Sequence, residues 1–128
     1  MSTSTATPLD VVQKFAQLLE TMNFDEALDL VSDTCEYSNP PPIGAVTGRD
    51  GVRAALDAFL GQARENEFKI LRAAAAGPVV LFERLDRHLF DKWIELPVTG
   101  VCEVHDGKIT YWRDYFDAAT LMSQMPAA

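Results

Sequence analysis

The sequence has only two cysteines, and neither belongs to a spacing that binds metal or forms a redox pair. Cys35 and Cys102 lie far apart, in segments that we predict to be strand interiors, and there is no CxxC motif. The two histidines, His88 and His105, lack a helical partner at metal-ligand spacing. These absences indicate two reduced, buried thiols and predict no metal ion.

Basic residues and long apolar runs are also scarce. The chain has 11 Lys and Arg against 19 Asp and Glu, and its formal net charge of -8 repels nucleic acid. The longest apolar run, residues 73–82, is too short to span a membrane. Residues 1–7, which we predict to be a flexible tail, lack the basic and apolar regions of a signal peptide, and this argues against secretion. A cytoplasmic protein that binds neither nucleic acid nor membrane is expected.

Helical patterns occupy the first half of the chain. Apolar periodicity predicts a helix from a Thr7 cap to about Asn23 and a shorter one from Asp25. A third helix is expected to begin with Asp50 as its cap, and residues 52–60 supply its apolar face. The length of the chain fits one domain, which we place at residues 8–128.

Strand patterns dominate the second half. A short strand at 34–39 precedes three prolines, which are expected to force an extended connection. Turn signals, of which Asp106-Gly107 is the strongest, separate longer predicted strands at 68–75, 78–90, 93–105 and 108–116. A last helical turn is expected over 118–125. Helices followed by long strands predict an α+β fold, with helices on one face of a curved sheet and a cavity between the layers.

The strand at 78–90 carries charges among large apolar residues. Because neighbouring side chains point to opposite faces, one face holds Val80, Phe82, Arg84, Asp86, His88 and Phe90. The other face, with Val79, Leu81, Glu83, Leu85 and Arg87, is also partly apolar. Alternation therefore leaves open which face is inward, and Arg84 with Asp86 can equally form a solvated outer face.

The last predicted strand places Asp114 between the aromatic side chains of Trp112 and Phe116. Apolar surroundings disfavour the charged form of a carboxylate unless a cation compensates. If the strands approach, the guanidinium of Arg84 can bridge Asp86 and Asp114 by paired hydrogen bonds. Such a bridge can keep one acid protonated and the other ionised, which suits general acid and general base catalysis.

A possible water site lies at the end of the strand at 34–39. Tyr37 and Asn39 share one face there, and with a carboxylate they can hold a water molecule by three hydrogen bonds. Asn39 also precedes three prolines, so a role as a turn former stays open.

These motifs in combination resemble the limonene-1,2-epoxide hydrolase family. The matching segments are Tyr37-Ser38-Asn39 before prolines, Glu83-Arg84-Leu85-Asp86, residues 96–101 and residues 107–117. The resemblance implies a homodimer and a cone-like, curved mixed sheet with helices in its concavity. That fold is shared with nuclear transport factor 2, ketosteroid isomerase and polyketide cyclases. It also implies cofactor-independent hydrolysis of a cyclic or terpene epoxide, such as limonene-1,2-epoxide, to a vicinal diol.

The resemblance further implies a role for each polar residue. Asp114 would be the general base, sharing a nucleophilic water with Tyr37 and Asn39, while Asp86 would protonate the epoxide oxygen and Arg84 would bridge the two acids. Alternation and resemblance together predict a substrate pocket whose walls are Leu19, Phe59, His88, Leu96, Val98, Trp112 and Phe116. Gly100, on the face of Leu96 and Val98, is expected to leave room for substrate.

Two other functions fit the same fold. Proton transfer of the ketosteroid-isomerase or polyketide-cyclase kind needs one base and oxyanion donors, so an arginine bridge between two acids would be superfluous. A non-catalytic ligand-binding domain of the transport-factor kind would have no reason to keep all five polar residues.

Overall fold

The computed structural model describes residues 6–125, and its first element is the helix α1, Pro8–Glu20. The helix begins with a capping box, in which Thr7 Oγ1 accepts from the Asp10 amide and Asp10 Oδ2 accepts from the Thr7 amide, both at 3.1 Å. Thr7 is thus part of the helix start, whereas residues 1–5 of the predicted tail lie outside the described residues.

Three further helices follow. They are α2 at Phe24–Leu28, α3 at Gly48–Phe59, which continues into a 3-10 turn at Leu60–Gln62, and α4 at Ala118–Gln124. The prediction that Asp50 caps α3 is wrong, because Thr47 occupies the cap and Asp50 lies inside the first turn. A carboxylate there still interacts favourably with the positive end of the helix dipole. No helix within residues 6–125 is long and apolar enough to cross a membrane.

Six strands form one curved mixed sheet, which confirms the predicted α+β class. The strands are β1 at Val31–Asn39, β2 at Gly44–Thr47, β3 at Glu65–Ala76, β4 at Val79–Leu89, β5 at Trp93–His105 and β6 at Lys108–Tyr115. Their order across the sheet is β2-β1-β6-β5-β4-β3. Among the strand pairs of residues 6–125, β1 and β6 are parallel and the other pairs are antiparallel.

The three prolines do not form the predicted extended connection. Residues 40–43 form a tight turn, in which the Ile43 amide donates to the Pro40 carbonyl at 3.0 Å. The chain then returns as β2, which pairs with the end of β1 and places Gly44 opposite Asn39. Sequence analysis missed β2 because four residues are too few to show an alternating pattern.

A β-bulge in β6 corrects the expected alternation of the last strand. Val104 pairs with Ile109 and Glu103 pairs with Tyr111, so Thr110 is an extra residue without a partner in this register. The extra residue lets Ile109 and Trp112 both point into the core, although strict alternation assigns them to opposite faces.

Burial settles which face of β4 is inward. Side chains on the face that carries Arg84 are buried, whereas those of the other face are exposed or half-buried. This inward face and the apolar faces of α1 and α3 enclose the main core, which includes Cys35 and Cys102. The alternation of β4 thus brings Arg84, Asp86 and His88 into the interior, where Asp114 of β6 joins them, and each of the four is 2–4% exposed.

Candidate active site

A cavity of about 610 Å³ lies between the sheet and the helices. This volume is within the range of roughly 300–1,000 Å³ that small-molecule sites occupy. Eleven of the predicted site residues line it, namely Tyr37, Asn39, Phe59, Arg84, Asp86, His88, Leu96, Val98, Trp112, Asp114 and Phe116. Asn39 belongs to β1 rather than to the proline turn, which fits a place in the cavity wall.

Arg84 joins two carboxylates that come from different strands. Toward Asp86, two strand positions away, Nε and Nη2 each donate at 2.8 Å. Toward Asp114 on β6, Nη1 donates at 3.0 Å and Nη2 at 3.1 Å. Both contacts are therefore bidentate, the geometry in which a planar guanidinium binds carboxylates most strongly.

Burial makes this Asp-Arg-Asp bridge chemically unusual. Desolvation raises the pKa of Asp86 above its ordinary value, and the lowering effect of Arg84 offsets this only in part. Burial also works against the charge of Arg84, but the charges of Asp114 and Asp86 outweigh it and hold the pKa of Arg84 above its ordinary value. The arginine thus stays a cation, while protonation of Asp86 becomes easier.

Trp112 and Tyr37 extend the bridge toward the end of β1. Trp112 Nε1 donates to Asp114 Oδ1 at 2.9 Å, and the indole stacks on the Tyr37 ring with centroids 3.7 Å apart. The parallel register, in which Tyr37 pairs with Trp112, produces this stacking. Burial and the charge of Asp114 raise the pKa of Tyr37, so its phenol stays protonated.

Comparison with known proteins identifies the family. Residues 6–127 match the family of the limonene-1,2-epoxide hydrolase catalytic domain. The chain belongs to this family.

Individual relatives agree with this membership. Epoxide hydrolase EphG of Mycobacterium tuberculosis is 38% identical over 108 residues, which cover 83% of this chain and 70% of that protein. An LEH-like epoxide hydrolase structure from M. tuberculosis aligns with a TM-score of 0.80 and 32% identity, covering 91% of this chain and 86% of the other.

More distant structures share the fold alone. A SnoaL-like polyketide cyclase from Shewanella denitrificans aligns with a TM-score of 0.79 at 14% identity, covering 91% of this chain and 95% of that one. The predicted relation between the limonene-1,2-epoxide hydrolase fold and that of polyketide cyclases is thereby confirmed for this chain.

Leu19 is the one predicted pocket residue that does not line the cavity within residues 6–125. It is 2% exposed and packs in the main core, and it is not among the side chains that line the cavity. Helical spacing assigned it to the buried face of α1, but spacing does not tell how deep a side chain lies within that face. We therefore withdraw Leu19 from the pocket wall.

Several wall residues were not predicted. They are Ile43, Val46, Ala55, Leu56, Ala58, Leu60, Phe68, Leu121, Met122 and Met125. Ala55 and Leu56 could have been predicted from the apolar pattern of α3, because they lie on its inward side. The α4 residues offered none, because where a seven-residue helix packs depends on the tertiary structure.

The space at Gly100 is occupied by the side chains of Phe82 and Arg84, so the prediction that this glycine leaves room for substrate is wrong. On β5 it pairs with Phe82 of β4 on one side and with Asp114 of β6 on the other. A Cβ at this position would lie 2.7 Å from Phe82 Cζ and 2.9 Å from Arg84 Nη1. The missing side chain therefore lets the guanidinium cross β5 to reach Asp114.

We expect Gly100→Ala to lower the free energy of unfolding by about 1–3 kcal/mol, the usual cost of overpacking a core. The methyl group must displace Phe82 or Arg84, since both contacts would be shorter than 3.0 Å. Urea unfolding of the variant measures this change. Gly61→Ala is the matched control, because its Cβ would have no neighbour closer than 3.8 Å. Equal stability of the two variants would contradict the steric argument.

Proposed function

We propose that this protein hydrolyses epoxides to vicinal diols by direct attack of a water molecule, without a covalent intermediate, metal or cofactor. Membership of the limonene-1,2-epoxide hydrolase family supports epoxide hydrolysis in general. The observation that carries the mechanism is the buried guanidinium of Arg84 between the carboxylates of Asp86 and Asp114.

In this proposal Asp114 is the general base. Its carboxylate accepts from Arg84 and Trp112, and the protonated phenol of Tyr37 lies next to it in the cavity wall. Tyr37, Asn39 and Asp114 together offer the donors and acceptors needed to hold one water molecule. Asp114 takes a proton from this water as its oxygen bonds to an epoxide carbon.

Asp86 is the general acid of the same step. Its raised pKa favours the protonated form that this role requires. As the carbon–oxygen bond of the epoxide breaks, the Asp86 proton moves to the leaving oxygen, so that a neutral diol forms. Asp86 ends the step ionised and Asp114 ends it protonated, and proton exchange with water restores the starting state. Arg84 positions both carboxylates and stabilises whichever is charged.

The cavity supports an apolar substrate of terpene size. Its apolar walls include Phe59, Leu96, Val98 and Phe116. We propose a cyclic or terpene epoxide, with limonene-1,2-epoxide as the first compound to test. Ring strain supplies driving force, so an aligned water, a proton donor and exclusion of bulk solvent are what the protein adds.

A single-turnover reaction in oxygen-18 water tests the mechanism. With enzyme in excess over limonene-1,2-epoxide or cyclohexene oxide, we expect one labelled oxygen in the diol on the first turnover, because water attacks carbon directly. Mass spectrometry of the diol measures the label. An unlabelled first turnover would mean that an enzyme carboxylate attacks, and absence of diol from every epoxide would exclude the hydrolase function.

The homodimer implied by the family resemblance and the cytoplasmic location expected from the sequence stay predictions. Light scattering on the purified chain measures the oligomeric state directly.

A further inference from the structure

The mechanism leaves one buried histidine of the cavity wall unused. His88 follows Asp86 by two residues on the inward face of β4 and is 2% exposed. Its Nδ1 lies 2.7 Å from Oδ1 of Asn66, a buried residue of β3. Asn66 in turn donates through Nδ2 to the carbonyl oxygen of Leu60 at 3.2 Å.

This chain of contacts fixes the proton on His88. A carbonyl oxygen can only accept, so the amide nitrogen of Asn66 must face Leu60 and its Oδ1 must face the imidazole. Oδ1 is also only an acceptor, and Nδ1 of His88 therefore carries the hydrogen. Burial, together with the charge of Arg84, lowers the pKa of His88 to about 4, which keeps the ring neutral. Nε2 is left unprotonated, with its lone pair free.

The Nε2 atom borders the cavity. Within residues 6–125, Nε2 makes no hydrogen bond, and every fully buried side-chain nitrogen or oxygen in this part of the chain has a partner. Nε2 is therefore not sealed in the protein but borders the space that His88 lines. Phe59 and Phe68 pack edge-to-face against the ring, with interplanar angles of 85° and 69° and centroids 5.0 and 5.6 Å away, so the acceptor is held in one place.

We propose that Nε2 of His88 accepts a hydrogen bond from a hydroxyl group of the substrate, and that the preferred substrates are hydroxylated epoxides with an apolar carbon skeleton. This inference rests on the proposed function. Two positions along a strand span about 6.7 Å, so the hydroxyl should lie at roughly that distance from the epoxide oxygen that Asp86 protonates. A substrate without a donor leaves a fixed acceptor unpaired in apolar surroundings, and sites of this kind discriminate strongly against such analogues.

Three epoxides that differ at one substituent test the preference. They are α-terpineol 1,2-epoxide, which carries a hydroxyl across the ring, its methyl ether, and p-menth-1-ene 1,2-epoxide, which lacks the oxygen. We expect kcat/KM of the wild type to be about tenfold or more higher for the alcohol than for either analogue, since only the alcohol donates to Nε2. In His88→Leu this ratio should fall to about 1.

His105→Leu is the matched control, because this second histidine is exposed and outside the cavity wall, and it should keep the wild-type ratio. His88→Gln, whose side-chain oxygen can accept, should recover part of the preference. A wild-type ratio near 1, or a ratio that survives in His88→Leu, would overturn the proposal.

Nitrogen-15 spectra of the histidine rings test the acceptor without turnover or substitution. We expect the Nδ1–H form of His88 and a shift of its Nε2 resonance on addition of α-terpineol, the unreactive parent alcohol, but not of p-menth-1-ene. If these spectra are observed but no epoxide gives a diol, the proposed hydrolase function is rejected and the hydroxyl-binding site at His88 is retained. The Nε2–H form, or α-terpineol that shifts other cavity resonances but not Nε2, would overturn the role of His88.

Discussion

Replacing Asp114 with asparagine is expected to lower kcat for epoxide hydrolysis by about 10³- to 10⁴-fold, the upper part of what a general base contributes. The amide cannot take the proton of the attacking water, although it keeps the shape of the carboxylate and an oxygen for Trp112. Diol formation followed by gas chromatography measures the loss. Asp86→Asn should cause a loss of the same order, because the amide has no acidic proton to give to the epoxide oxygen.

The fold of both variants must be checked beside their activity. Far-UV circular dichroism should be unchanged, since Arg84 retains one ionisable partner in each variant. Asp91→Asn is the matched control, because Asp91 is an exposed carboxylate in the turn between β4 and β5. Substantial residual activity in either site variant, with Asp91→Asn at the wild-type level, would contradict the assigned roles.

Arg84→Met is expected to lower the free energy of unfolding by about 3–5 kcal/mol near neutral pH, the usual cost of removing one partner from a buried ion pair. The substitution leaves two buried carboxylates without the cation that they share. Urea unfolding measures the change. Arg72→Met is the matched control, because the side chain of Arg72 is 80% exposed and its surface ion pair with Glu83 contributes little.

The destabilisation should also depend on pH with a definite sign. Arg84 lowers the pKa of Asp86, so its loss raises that pKa further above the value of about 3.9 in the unfolded chain. A group with a raised folded pKa binds its proton more tightly in the folded protein, and stability is lost as pH rises through that pKa. The loss of unfolding free energy in Arg84→Met, relative to the wild type, should therefore be smaller at pH 5 than at pH 8. An equal loss of unfolding free energy at both pH values would argue that the uncompensated carboxylates do not cause the destabilisation.

Long strands and their turns were predictable because their signals are local. The predicted strand at 93–105 coincides with β5, and Asp106 and Gly107 both adopt positive φ in the turn before β6. Residues without a strong local pattern were missed for the same reason. The strand β2 has four residues, and the bulge at Thr110 is defined only by its partner strand.

The candidate site was predictable in its residue types more than in its geometry. Alternation along single strands singled out Arg84 with Asp86, Asp114 between two aromatic residues, and Tyr37 with Asn39. The family resemblance then supplied the role of each. The purpose of Gly100 was misjudged, since its close neighbours Phe82 and Arg84 come from an adjacent strand. The depth of Leu19 was misjudged likewise.

Helical period and strand alternation are properties of short segments, so the amino-acid sequence was enough to predict the class of fold and the chemical groups on each strand face. The three-dimensional arrangement was needed to show that the charged face of β4 is inward, that Arg84 reaches Asp114 across Gly100, and that Asn66 bonds to Nδ1 of His88 rather than to Nε2. Each of these depends on contacts between different elements, whose residues are 22 positions apart for Asn66 and His88 and 30 positions apart for Arg84 and Asp114. A pattern within one short segment describes only the faces of that segment, and does not tell which side chains of other elements it will meet.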